Sequence, residues 1–258
     1  NTKKMTLNLI TAQGHALPRS DQRVSDPLHI RQGVWDHRSP VPTEVWWETV
    51  HKDAQIDAQD VPFFADQARW WCNYLGRDKL CRGVRYRAIP RNKNLPVIKG
   101  NLAQQGDWNS AFKTFAALQV QGYGIYAVVN KGGDSKKEIT KCVALFCEWD
   151  NLPISEQLVK AELLGLPKPT LKVMTGGKSV HCYWRLEVPI TRNRWEPLMK
   201  RLIHLCGSDK TICDASRVMR LPGSWYVGHD LKVGPICHLW DVNNVTYTAQ
   251  EFELLLPE

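Results

Sequence analysis

The run Val143-Ala144-Leu145-Phe146-Cys147 is apolar at odd and even positions alike. Successive side chains of a strand point to opposite faces, so a strand of this composition must be covered on both sides. The sheet that holds it therefore lies beneath other elements, with no face left to water. The strand reads from Lys141 to Asp150 and leaves its apolar run at Glu148-Trp149-Asp150.

The rest of the chain supplies covering elements. A helix is predicted from Pro62, with Phe64, Ala68, Trp71 and Leu75 on one face and Gly76 at its stop. A weaker helix is read over Thr43–Val50. Val84–Ile89 and Leu95–Ile98 read as strands divided by a Pro-Arg-Asn-Lys-Asn turn. Asp107 is placed to cap a helix carrying Trp108, Phe112 and Phe115, and Tyr123–Val129 follows as a strand. Beyond the covered strand, a helix over Ser155–Leu164 precedes two strands, Thr170–Met174 and Ser179–Leu186, around Thr175-Gly176-Gly177-Lys178. A helix over Thr191–Leu205, a loop to Ser224 and a strand over Ile236–Trp240 come next. A last helix opens on the capping box Thr248-x-x-Glu251. Helices mixed with strands and at least one hairpin give an α/β (α+β) fold, not a purely parallel sheet. Residues 1–60 carry several prolines and no sustained periodicity, and are read as an irregular N-terminal arm before a core over 61–258.

Charge narrows the function. The 258 residues hold 34 Lys and Arg against 26 Asp and Glu, a net charge of +8, which favours a polyanionic partner. Neither a membrane span nor a signal peptide is read, and eight cysteines without CxxC pairing indicate reduced thiols in the cytoplasm. His204, Cys206, Cys213, Cys237 and His238 lack the spacing of a zinc ribbon or finger, so no zinc is expected.

Four features bear chemistry. Glu148 and Asp150 share one face of a strand end, where two carboxylates repel unless a cation sits between them; hard Mg²⁺ or Mn²⁺ suits their oxygens. Taken alone, the pair is better explained as a strand end reaching solvent. Ser179 and His181, also at i and i+2, follow a Gly-Gly-Lys turn, so backbone N–H groups, Lys178 and two side-chain donors converge as a phosphate requires. Ordinary hairpin chemistry is the alternative. Asp209 and Asp214 precede Arg217 and Arg220 in a loop-like segment, as a metal ligand before guanidinium groups for a triphosphate, or as an exposed salt-bridged loop. Lys79–Gly106 holds seven basic residues and no acid, among them Arg82, Arg85, Arg87, Arg91 and Lys93. They form either a groove for a nucleic-acid backbone, with Tyr86 or nearby tryptophans as stacking platforms, or a solvated basic face.

Taken in order, Glu148-Trp149-Asp150, Ser179-Val180-His181 and Asp209 ahead of Arg217, Arg220 and Leu221-Pro222-Gly223-Ser224 resemble the three motifs of the archaeo-eukaryotic primase superfamily, the primase-polymerases of plasmids, phages and bacteria. The likeness runs from about Pro62 to the C-terminus. It implies a core of two joined modules, the second resembling an RNA-recognition motif. It also implies a nucleotidyltransferase acting as DNA primase or DNA-directed DNA polymerase, with Glu148, Asp150 and Asp209 (preferred to Asp214) holding two Mg²⁺ or Mn²⁺ ions. Lys178, Ser179, His181, Arg217 and Arg220 would bind the dNTP or NTP, and the basic stretch would track single-stranded DNA template and primer. A helicase or other replication or repair proteins are the further partners this implies. Two alternatives stand beside this reading: an extension-only gap-filling or translesion polymerase, and a non-catalytic replication-initiator module that binds nucleic acid.

Overall fold

The computed structural model describes residues 63–77, 81–102, 108–228 and 233–257. The N-terminal arm, the helix read over Thr43–Val50 and the Asp107 cap lie outside the described residues.

Two antiparallel sheets form the core. The first has the order β2-β1-β3-β8 and is built from β1 (Arg85–Pro90), β2 (Ile98–Asn101), β3 (Tyr123–Val128) and β8 (Val218–Arg220). Helix α2 (Trp108–Val120) links β2 to β3 and buries Phe115 and Leu118. Tyr86 on β1 meets the Phe115 ring edge-on at 4.8 Å. Tyr86 itself stays half-buried, with one edge of its ring against Phe115.

The second sheet has the order β11-β6-β7-β5-β4, from β4 (Lys131–Gly132), β5 (Ile139–Trp149), β6 (Leu171–Met174), β7 (Val180–Ile190) and β11 (His238–Val242). As its composition requires, β5 is buried without interruption from Cys142 to Cys147. Register pairs Phe146 with Tyr183 on one face, where α1 (Ala65–Tyr74) brings Trp71 to 6.2 Å from Tyr183. Trp184, pointing the other way, meets Phe252 of α5 (Ala249–Leu255) at 6.1 Å. Helix α4 (Arg192–Cys206) lies along β5: the Trp195 indole N–H donates to the Ala144 carbonyl and the Trp149 indole N–H to the Cys206 carbonyl, each at 2.8 Å. The indole N–H groups of Trp195 and Trp149 thus find backbone partners across the helix–strand interface.

The predicted hairpin is present, with Met174 opposite Val180 and Leu171 opposite Tyr183. Helix α3 (Ile154–Leu163) and the Thr248–Glu251 capping box also form as read. Two expectations differ. The segment before Ser224, read as a loop, contains a 3₁₀ turn (Lys210–Cys213) and β8. The single strand read over Ile236–Trp240 is two: β10 (Val233–Ile236) pairs with β9 (Trp225–Val227), β11 pairs with β6, and Cys237 lies between.

The residues around Leu221–Ser224 join the sheets. Leu221 N–H donates to Ile125 of β3 (3.0 Å), Gly223 N–H donates to Cys237 (2.7 Å), and Cys237 N–H returns to Ser224 (2.7 Å). Phe64 N–H, at the entrance to α1, donates to the Gly223 carbonyl at 2.9 Å. Gly223 has φ +94, and a Cβ there would strike the Phe64 carbonyl oxygen, so only glycine fits.

Candidate active site

Antiparallel register sets Glu148 of β5 directly opposite His181 of β7. The imidazole is 4% exposed; its Nε2 lies 2.9 Å from Glu148 Oε2, and Nδ1 lies 3.3 Å from the Tyr183 hydroxyl. Burial pushes the Glu148 carboxyl up, but the His181 contact and the Arg217 charge outweigh it and hold the group below the usual carboxylate range. Glu148 is thus ionised and poised against cations.

One residue past the strand end, Asp150 accepts a hydrogen bond from the Ser179 hydroxyl and lies 3.6 Å from Lys178 Nζ. The turn that carries these partners is fixed from beneath by Gln157 of α3, which is fully buried. Its amide donates to the Lys178 and Leu152 carbonyls, and its oxygen accepts from Val180 N–H, each at 2.7 Å. Gly176 has φ +75, and a Cβ there would land on the Pro235 carbonyl oxygen. Close backbone approach, as well as turn geometry, demands glycine at this position.

Asp209 arrives by a different route. Ser208 is clamped to the backbone of Glu148, donating from Oγ to its carbonyl at 2.5 Å and accepting from its N–H at 3.2 Å. The next residue, Asp209, caps the 3₁₀ turn by accepting from the Thr211 hydroxyl and N–H, and these bonds, with Arg217, lower its pKa. Arg217 Nη2 stands between two acids, 3.6 Å from Asp209 Oδ2 and 3.9 Å from Glu148 Oε1. Asp214, the rival, accepts from the N–H and hydroxyl of Ser216 within its own turn.

A cleft of about 240 Å³ opens beside these groups, lined on one side by Glu148, Asp150, Lys178, Ser179 and His181 and on the other by Arg91, Tyr126, Arg217, Arg220 and Tyr226. Arg220 is 7% exposed, donates from Nη2 to the Tyr126 hydroxyl at 2.8 Å, and stacks on the Tyr126 ring at 4.8 Å.

Among the described residues the basic stretch is divided between internally paired and exposed side chains. Arg85 is ion-paired with Asp134 at 2.5 Å and donates to Asn101, and Arg87 donates to the Asp134 carbonyl. Arg91 turns into the cleft, while Arg82 and Lys93 are exposed. Sequence reasoning missed Tyr126, Tyr226, Gln157 and Ser208. Each owes its place to a partner at least 21 residues away or to a strand of three residues, which leaves no periodic trace.

Hard oxygen donors from Glu148, Asp150 and Asp209 suit a divalent cation, and the guanidinium between Glu148 and Asp209 shows that positive charge is accommodated there. Each acid is already met by a cationic partner. Among the described residues no three acid, histidine or cysteine side chains are drawn around one point.

Over 76% of its length the chain superposes on 99% of the archaeo-eukaryotic primase domain of the cyanophage S-2L primase-polymerase, with 33% identity and a TM-score of 0.67. The chain belongs to the archaeo-eukaryotic primase superfamily. This primase-polymerase domain is therefore an enzyme of the nucleotidyltransferase kind, related to nucleic-acid primases and polymerases. Its fold also matches the primase RepB′, at 14% identity and TM-score 0.54 over 74% of this chain and 62% of that one. The RepB′ catalytic domain in complex with initiator DNA matches at 15% and 0.52, over 73% and 93%. No family model and no curated protein matches the sequence. Among its described residues, no helix of the primase-polymerase is long and apolar enough to cross a membrane.

Proposed function

We propose that this chain carries out template-directed nucleotidyl transfer on single-stranded DNA, building or extending primers in a divalent-metal-dependent reaction. The observation that carries the reading is a single cleft lined by both carboxylates (Glu148, Asp150) and phosphate-seeking groups (Lys178, Ser179, Arg220). A polymerase needs both within reach of one phosphorus atom.

Glu148, Asp150 and Asp209 would hold Mg²⁺ or Mn²⁺. Such ions, when bound, supply charge neutralisation and activation of a primer 3′-hydroxyl. The chain's own groups do the rest. His181 orients Glu148 through a buried hydrogen bond, so the carboxylate meets its ligand without a rotamer search. Ser179 and Lys178, engaged with Asp150, would exchange that partner for phosphate oxygens. Arg217 exchanges partners in the same way, leaving Glu148 and Asp209 for the negative charge of a triphosphate. The exposed Arg82 and Lys93 are assigned to the DNA backbone. The catalytic core is proposed to run over 61–258, after an arm of 1–60. Free cysteines, seven of them buried, support a cytoplasmic setting.

The test is incorporation of labelled nucleotide on single-stranded DNA, with and without a primer, in Mg²⁺ and in Mn²⁺. Asp150→Ala is expected to abolish incorporation while DNA binding stays intact or tightens slightly, since a negative charge is lost. Normal polymerisation by that variant defeats the metal-site assignment.

A further inference from the structure

The cations of the cleft fall into two groups. Lys178 and Arg217 each lie beside an acid. Arg91 and Arg220 do not: among the described residues neither forms an ion pair, yet both are drawn to one aromatic ring. Their guanidinium carbons each lie 5.1 Å from the centroid of Tyr226. Like charges brought to one ring repel, and what offsets the repulsion is the ring's negative face. Arg91 is fixed further by donating from Nε to the Val227 carbonyl at 2.6 Å, and Arg220 by Tyr126. Arg220 is more than nine-tenths buried, and its Nη1, shielded from solvent near Gly124, has no hydrogen-bond partner. A buried, unsatisfied guanidinium nitrogen beside a second uncompensated cation points to an anion of high charge density.

The same ring reaches the phosphate-seeking turn. A Cβ at Gly177 would come within 2.8 Å of Tyr226 Cε2, so the turn before Lys178 lies against the tyrosine. Tyr226 therefore touches Arg91, Arg220 and the Gly176–Lys178 turn at once. At about 240 Å³ the cleft is smaller than the roughly 300–1,000 Å³ of pockets that enclose a whole drug-sized ligand. Its size suits a polyphosphate, with base and sugar lying outside it.

We propose that Arg91 and Tyr226 belong to the nucleotide site: Arg91 binds the polyphosphate tail of the incoming nucleotide, and Tyr226 is the positioning residue that holds Arg91 and Arg220 together to receive it. The proposal rests on the nucleotidyl-transfer reading and moves Arg91 out of the DNA-tracking stretch. Phosphate could equally come from a nucleotide or from a DNA backbone, and the two sources are separated by experiment.

Arg91→Ala, Tyr226→Leu and Tyr226→Phe are compared with wild type in three measurements: the KM and kcat for dATP in primer extension, calorimetric binding of dATP and of dAMP without primer or template, and binding of a single-stranded oligonucleotide. Arg91→Ala and Tyr226→Leu are expected to raise KM and weaken dATP binding by about 10- to 100-fold, the scale of one charge-assisted phosphate contact. Expected kcat stays within about threefold, and dAMP and oligonucleotide affinities stay unchanged. Tyr226→Phe, which keeps the ring and loses the hydroxyl, restores dATP binding. The proposal is overturned if Arg91→Ala weakens the oligonucleotide and leaves dATP alone, or if Leu at 226 serves as well as Phe. Because dATP binding is read without turnover, failure of this assignment is distinguishable from failure of the polymerase reading, which the Asp150→Ala assay decides.

Discussion

Ser208→Ala removes one hydroxyl and tests how the third acid is delivered. The Ser208 side chain makes both a donated and an accepted bond with the backbone of Glu148 and is 9% exposed, so water does not readily replace it. Each lost neutral bond costs about 1 kcal/mol, and leaving a buried N–H or carbonyl unpaired adds to that, giving roughly 2–3 kcal/mol for the pair. For a domain of this size, each kcal/mol shifts Tm by about 2–4 °C, so the melting temperature should fall by roughly 4–12 °C. Activity should fall further than stability accounts for. Asp209 is carried by the next residue, and a displacement on the order of 1 Å can cost up to about 100-fold. Thermal unfolding by circular dichroism and primer extension well below Tm measure the two effects separately, with Ser208→Thr as the variant that keeps the hydroxyl. A Ser208→Ala protein that melts like wild type and extends primers at full rate would refute the claim that this clamp positions Asp209.

Two further outcomes follow from the packing. Gly176→Ala should destabilise the protein by about 2–4 kcal/mol in urea unfolding, since a left-handed φ and a collision with the Pro235 carbonyl act together. Alkylation of the native protein at pH 8 should give a single adduct, at the half-buried Cys213, and eight in denaturant. Burial, with Glu196 nearby, pushes the Cys142 thiol up to about 12, and burial alone does the same to Cys237.

The parts of the fold that sequence revealed are those in which local pattern and tertiary environment agree. β5 declared itself because a strand covered on both faces must be apolar at both parities, and the α5 capping box because it is closed within four residues. The pairs Glu148 with Asp150 and Ser179 with His181 were legible as strand neighbours. What sequence withheld is how those pairs meet. The register that sets Glu148 opposite His181 spans 33 positions and is fixed only when β5 and β7 assemble. Arg85 and Arg87 looked like free charge because Asp134, which engages both, lies more than 45 residues away. β8 and β9 have three residues each, too few to show a period, yet they carry Arg220 and Tyr226.

The staple at Leu221–Ser224 gives the molecule a fixed gauge. Three backbone bonds tie one short segment to β3 and to Cys237, and a fourth anchors it to the start of α1, all by main chain. The two walls of the cleft descend from sheets that are sewn together a single residue beyond Arg220. Jaws joined at their own teeth are expected to keep the opening that folding gives them, before any substrate arrives. Selection then works as a caliper does: a ligand is accepted by how well it fills a preset gap, and the adjustments left to it are exchanges of side-chain partners across that gap.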